Sequence, residues 1–405
     1  MNNSRKNKKK SNILYISYDG LMEPLGESQV LSYLEPLSEQ YRIEIISFEK
    51  SSDLKSERKE LFKKRLQVKG IKWHMLRYHE RPSLLATIFD ISLGFFLSLI
   101  LFFRSKIKII HIRSLLPGLM VLPLKFLFSY HLIFDMRGFW PEEKVDRAGW
   151  PRTSFKYLLA KSFQDRIISK SDKIVTLTNQ AKYKILNEFP KLDSSVFEVI
   201  PTCTDTNKFE LSNQEIDNDI EIIFGHLGSV DTAYSIDPII KMIKNFHEIG
   251  KKVKIIFFNQ GSHEYIESRL KHFNISEGFS EIRELDFGSV SNNLRKIHIG
   301  CFFADYSTSI VGSLPTKMGE FLSSGRPIIC NPANEDIIGI IENNRVGLVE
   351  RLESNYSVED LFISLQGLIS DKEMPKRCRD LAESFFALKL GVEKYKKIYI
   401  ELSSQ

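Results

Sequence analysis

Short apolar runs separated by stretches of helical period recur along the whole chain, and this alternation limits the fold more than any other feature. The runs are too short for buried helices and lack the every-other-residue polarity of a one-sided strand, so they predict strands of parallel sheets covered by helices on both faces. In the first half the strands are expected at 13–17, 43–48, 72–76, 107–112, 131–135, 173–177 and 196–200. In the second half they are expected at 220–227, 252–258, 282–286, 299–304, 327–330 and 347–349. A polar stretch at 205–219, rich in Asn and Asp and without apolar period, reads as a linker. At 405 residues the chain exceeds what one core ordinarily supports. Two domains of helix-covered parallel sheet are therefore expected, 1–205 and 206–385, with an amphipathic helix over 385–402 that carries Tyr395 and Tyr399 four residues apart.

A hydrophobic content of 42% and a charged content of 27% exclude global disorder. The net charge of +6 acquires meaning only from where the cations sit. Five lie between Met1 and Lys10, and a second group (Arg58, Lys59, Lys63, Lys64, Arg65) shares a helical pattern with Leu54, Leu61, Phe62 and Leu66, which suits an anionic membrane surface. No nucleic-acid partner is expected. The basic start runs straight into a strand rather than into the apolar stretch of a signal peptide, so a cytoplasmic protein is expected, at most peripheral on the inner face of the cell membrane. Segment 84–103 is the one transmembrane candidate, but Asp90 and Ser98 interrupt it and its apolar part, 91–103, is short for a bilayer. It reads as a buried or membrane-facing helix of the first domain. Cys203, Cys301, Cys330 and Cys378 are scattered without metal or disulfide spacing, as in a reduced compartment.

The most informative string for chemistry is Pro315-Thr316-Lys317-Met318-Gly319-Glu320, followed by Gly325-Arg326-Pro327. A helix starting at Thr316 or Lys317 would turn free amides and the positive end of its dipole toward an anion. Lys317 and Glu320 would share one face, a cation and an acceptor meeting one ligand. Gly325 would end the helix before a buried strand. The strand 299–304 upstream puts the string at the carboxyl edge of a parallel sheet, where ligands bind in such folds.

These residues resemble the donor-site segment P-[ST]-K-x-x-E of the retaining GT-B glycosyltransferases, which use nucleotide sugars in bacterial surface-polysaccharide synthesis. Three further stretches are similar to that family in the expected order. They are 12–30, with Gly26 in a glycine loop; 132–142, with Asp135, Arg137 and Glu142; and 199–209, which reads V-I-P-x-x-x-D-x-x-x-F. The resemblance implies α/β architecture of GT-B type, with two Rossmann-like parallel-sheet domains facing across a cleft and residues 386–405 packing back on the first. It implies donor binding by Gly26, Gly228, Ser229, Pro315, Thr316, Lys317 and Glu320, and acceptor or catalytic roles for Asp135, Arg137 and Glu142. The activity implied is transfer of a sugar from a nucleotide diphosphate to a hydroxyl of a lipid-linked or polysaccharide precursor, without a metal. An epimerase of the same fold and a silent sugar-nucleotide-binding scaffold are the alternatives.

The chain departs from the family at two places. Gly312 stands where a first glutamate commonly reads the donor sugar, and the turn 224–231 lacks the usual arginine and lysine, leaving more of the phosphate charge to Lys317. The nine histidines show no H-x-x-x-H or H-E-x-x-H spacing, so no metal site is expected. Neither G-x-G-x-x-G nor a P-loop string occurs, which disfavours nicotinamide and P-loop chemistry.

Overall fold

A computed structural model describes residues 10–211, 221–230, 233–284, 290–352 and 357–405. The first sheet contains β1 (Asn12–Ser17), β2 (Arg42–Glu49), β3 (Lys72–Arg77), β4 (Ile109–Arg113), β5 (His131–Asp135), β6 (Lys173–Thr176) and β7 (Phe197–Val199), in the order β3-β2-β1-β4-β5-β6-β7. The second contains β8 (Ile222–Leu227), β9 (Tyr234–Ser235), β10 (Val253–Asn259), β11 (Ser280–Glu284), β12 (Ile299–Ala304), β13 (Ile328–Cys330) and β14 (Gly347–Val349). Its order is β11-β10-β8-β12-β13-β14, with β9 pairing antiparallel to β12. Every other described pair is parallel, as continuous burial such as that of Ile109–Arg113 requires when helices cover both faces.

The expected strands agree with these to within a few residues at each end. β11 starts two residues earlier than the pattern at 282–286 suggests, and residues 285 and 286 lie outside the described residues. The two-residue β9 is too short to leave a pattern and went unanticipated. Of the linker reading, 212–219 lies outside the described residues, as do nine of the ten residues of the first basic cluster.

In each sheet the connections reverse direction beside the first strand, between β1 and β4 and between β8 and β12. Loops diverge at such points and open a crevice at the carboxyl ends of the strands. The chain crosses between sheets twice, and the crossings pair: Thr204 N donates to Phe386 O at 2.7 Å and Leu388 N to Thr204 O at 2.9 Å. The terminal helix Leu388–Ser404 then buries Tyr395, Ile398, Tyr399 and Leu402 in the core of the first sheet.

Direct bonds also join the lobes. The Asp336 carboxylate accepts from the amides of Asn179 (2.9 Å) and Gln180 (2.8 Å), and the Thr178 hydroxyl donates to Val311 O at 2.6 Å. On the same side Ser309 N donates to Asp146 at 2.9 Å, and Thr202 donates to Leu314 O at 3.0 Å.

Candidate functional site

The crevice between the two sheets is a cleft of about 790 Å³. Its first wall follows the carboxyl ends of β1, β4 and β5, bringing in Asp19, Arg113 and Arg137; its second follows β8, β10 and β12, bringing in Gly228, Asn259 and the segment from Ser313 to Glu320.

The helix Thr316–Ser323 starts where the sequence places it, and no side chain caps its amino end. Pro315 lies just before it with extended backbone, which cannot continue a helix backwards. Gly325, at φ 72°, closes it in the left-handed region open to glycine. Pro315, Thr316, Lys317 and Glu320 all line the cleft. Lys317 is buried, its ammonium sits 4.5 Å from the centre of the Tyr234 ring, and Nζ has no hydrogen-bond partner among the described residues.

Burial pushes the Lys317 ammonium down to about 8, opposed by Cys301 and Glu320. Burial pushes the Glu320 carboxyl up to about 7, with Lys317 pulling the other way. Both shifts show that the cleft wall holds these two charges at a cost set by burial.

The shifts set a pH dependence for the unliganded protein. Glu320, whose native pKa is raised, adds stability that is complete below 4.5 and lost as the pH climbs through 7. Lys317, whose native pKa is depressed, gives up its proton before the unfolded chain does, so stability recovers from pH 8 to 10.5. Denaturant melts across this range are expected to show the dip, and Glu320→Gln should flatten its acid side and Lys317→Met its alkaline side. Unchanged profiles in both variants would contradict the assignment.

Gly228 follows β8 at φ 90°, with Ser229 beside it in the cleft lining. Gly228 N donates to Phe258 O, and its carbonyl accepts from Asn259 Nδ2, both at 2.9 Å. His226 is a packing residue: its ring nitrogens lie 3.2 Å from Cys301 O and 3.4 Å from Ser229 O, and burial, then Lys317, hold it neutral.

Arg137 reaches the cleft, but not by strand alternation. β5 ends at Asp135, and Arg137 takes a left-handed conformation at φ 51°, which aims its guanidinium back so that Nη2 donates to Gln29 Oε1 at 3.2 Å. Burial works against its charge, yet Asp135 and the neighbouring tyrosines hold its pKa above the ordinary value.

Three expected site residues do not line the cleft. Asp135 is buried and accepts from the Tyr395 hydroxyl at 3.1 Å, with Arg137 Nη1 at 3.7 Å and both Arg113 Nη1 and His111 Nε2 at 3.9 Å. Its place is that of an anchor for the arginines. Glu142 is buried and accepts from the Tyr157 hydroxyl at 3.2 Å; the next residue, Glu143, lines the cleft instead, its carboxyl raised by burial. Gly26 faces the loop before it, where a Cβ would fall 2.1 Å from Gly20 O, so it serves close packing rather than a ligand.

Sequence reasoning missed Asn259, Gln260, Tyr234, Arg113 and Glu143, all in the lining. Asn259-Gln260-Gly261 directly after an apolar strand carried a signal: polar residues and a glycine at a carboxyl edge. The structure also explains Gly312. A Cβ there would lie 2.9 Å from Phe139 Cδ2 and 3.2 Å from the Gly138 Cα, so the position is spent on contact between the lobes.

Two parallel sheets of Rossmann type with a cleft between their carboxyl edges define the GT-B architecture, and that is the fold of this chain. Among solved structures it is similar to sucrose-phosphate synthase from Thermosynechococcus elongatus, with a TM-score of 0.73 at 11% identity over 98% of this chain and 100% of that one. A glycosyltransferase from Rickettsia africae ESF-5 gives 0.69 at 16% identity over 97% and 98%. Anabaena HepE, solved with UDP and glucose, gives 0.66 at 12% over 98% and 100%. At these identities the likeness is one of fold. No family model matches the sequence, and no curated protein matches it either.

Proposed function

We propose that this protein is a retaining glycosyltransferase that moves a sugar from a nucleotide diphosphate to a hydroxyl of a lipid-linked or polysaccharide precursor at the inner face of a membrane. The observation that carries the reading is Lys317: a buried ammonium in the cleft wall, beside an uncapped helix terminus, with no hydrogen-bond partner. A cation held this way wants a desolvated anion, and a diphosphate matches both the ammonium and the amides of Thr316 and Lys317. Breaking the bond from sugar to phosphate builds negative charge on the departing diphosphate, the charge these groups would stabilise most. Glu320, one turn along the same helix, accepts from the ribose hydroxyls when ionised. On the other wall Arg113 and Arg137 face the acceptor side, and Glu143 and Asp19 supply carboxylates to orient or deprotonate its hydroxyl. The phosphate charge is met by the chain's own cations and amides, without a metal. The UDP held by HepE, whose fold is similar, is in keeping with such a donor.

Titration with a panel of nucleotide sugars, with and without EDTA, tests this. A donor at about 100 times its Kd stabilises the fold by roughly 2.7 kcal/mol. Glu320→Ala is expected to weaken nucleoside diphosphate binding about tenfold or more while inorganic diphosphate binds as before, since only the ribose contact is lost. A chain that no nucleotide sugar stabilises is not such an enzyme. Binding without turnover on any acceptor would favour a scaffold, and conversion of the donor alone an epimerase.

A further inference from the structure

The helix Ser83–Ser105 is inside out. Its buried residues are Ala86, Asp90, Gly94 and Ser98, joined only in the last turn by Leu101 and Phe102, and its outward stripe is Leu85, Phe89, Phe96, Ile100 and Phe103, at spacings that keep one face of a helix. A helix on a water-facing surface has the opposite arrangement. The inward side is docked firmly: Asp90 accepts from the Tyr18 hydroxyl at 2.9 Å and from His79 N at 3.1 Å, and a Cβ at Gly94 would strike Met120. Apart from edge contacts of Phe89 with His79 and of Phe103 with Phe128, the outward stripe is left open by the described residues, with Phe103 74% exposed. It continues past the helix end, where Phe103 packs edge-on against Phe128, into the loop that leaves Phe126 92% exposed. An apolar surface this continuous marks an interaction site.

From this geometry we infer that the Ser83–Ser105 face is the surface by which the protein lies on an anionic bilayer, the helix flat in the interface rather than across it. Charge selects the occupant. Between residues 81 and 134 the only acid is Asp90, which is buried, while Arg81 at one end of the helix and Arg104, Lys106 and Lys108 at the other are exposed. Apolar side chains flanked by cations are the pattern that inserts among acyl chains beneath anionic headgroups. A second copy of this chain would have to meet the same patch with its own, setting cations against cations with no exposed acid from this segment to answer them. Crossing the bilayer would tear Asp90 and the small-residue stripe from the domain they pack on. The basic helix Arg58–Val68, by contrast, spends Arg58 on Glu27 and Arg65 on Glu27 and Glu35.

The placement also concerns the cleft. Leu116 and Pro117 line it, and they belong to the helix Leu115–Val121 on which Ser83–Ser105 packs. An acceptor anchored in the same bilayer would reach the catalytic opening along that helix. This face is the membrane side of the transfer reading, yet its docking stands on exposure and charge of its own.

The full chain is to be sedimented with vesicles of mixed phosphatidylcholine and phosphatidylglycerol and of phosphatidylcholine alone. Wild type is expected to pellet with the anionic vesicles and to be released by salt. The double variant Phe89→Glu/Phe96→Glu should lose at least about tenfold of this partition, and Arg104→Glu/Lys106→Glu should lose the preference for anionic lipid. Wild type that stays in the supernatant, or that pellets regardless of salt and lipid charge, overturns the inference even if a variant fails to fold. So does a dimer in solution that Phe89→Glu/Phe96→Glu dissolves. Nucleotide-sugar binding measured on the same samples separates the two ideas: vesicle binding without it leaves the docking surface standing and sinks the transfer reading, and the reverse result sinks only the docking surface.

Discussion

Lys317→Met is expected to make the protein more stable and nearly inactive at once. Turnover should fall by roughly two to three orders of magnitude, the usual cost of removing one preorganised group that stabilises charge developing in a transition state. Stability without ligand should rise by about 1–3 kcal/mol, because the wild-type ammonium is buried and unpaired, and methionine fills the same space without needing a counter-charge. The depression of its pKa from 10.5 to about 8 by burial expresses the same penalty. The gain should therefore be full below pH 8 and fade toward pH 10.5. A surface lysine would show neither effect, and a lysine needed only for packing would show a loss of stability. Urea melts and initial rates on one preparation decide among the three, and Lys317→Met that is both less stable and still active would remove the diphosphate site from the account.

How much of this was legible beforehand depends on what each residue's signal was made of. The strands were readable because buried parallel strands need apolar side chains on both faces, and the runs at 43–48, 131–135 and 299–304 carry that requirement in their composition. The helix at Thr316 was readable because proline before it and glycine after it act locally through backbone geometry. Glu142 and Glu143 mark where such reading stops. They are neighbours about 100° apart on a helix, both acidic, and which one turns to the cleft is settled by Tyr157 taking up Glu142 from another helix. Arg137 was legible as a candidate, but its route into the cleft was not: it follows the strand rather than continuing it, and a left-handed non-glycine residue leaves no periodic trace. Gly26 and Gly312 look alike in sequence to a glycine that makes room for a ligand, whereas here each makes room for protein. Asp135 is the largest such displacement, because its partners come from residues as distant as Tyr395.

Asp135→Ala is expected to cost about 3–5 kcal/mol, the range for stripping the counter-charge from a buried ionic cluster. Arg113 and Arg137 are both largely buried, and each has an Nη1 with no hydrogen bond among the described residues; Asp135, at 3.7–3.9 Å, is the buried carboxylate they share, and Arg113 adds only the exposed Asp19 at 3.6 Å. The same carboxylate receives the Tyr395 hydroxyl, which ties the terminal helix to the first sheet. Asp135→Asn keeps an acceptor for Tyr395 but loses the charge and should fall between alanine and wild type, while Tyr395→Phe removes one hydrogen bond and should cost about 1 kcal/mol. The order of these losses separates two roles for the residue. An acid that acts on substrate would lose turnover in Asp135→Asn at nearly unchanged stability, with Tyr395→Phe inert. A carboxylate that positions Arg137 in the cleft would lose stability in step with turnover across all three variants, and activity in Asp135→Asn should recover when the fold is stabilised by saturating donor. Arg113 and Arg137 are the parts of the cluster that meet the cleft, so an effect of Asp135 on the proposed reaction would pass through those guanidiniums.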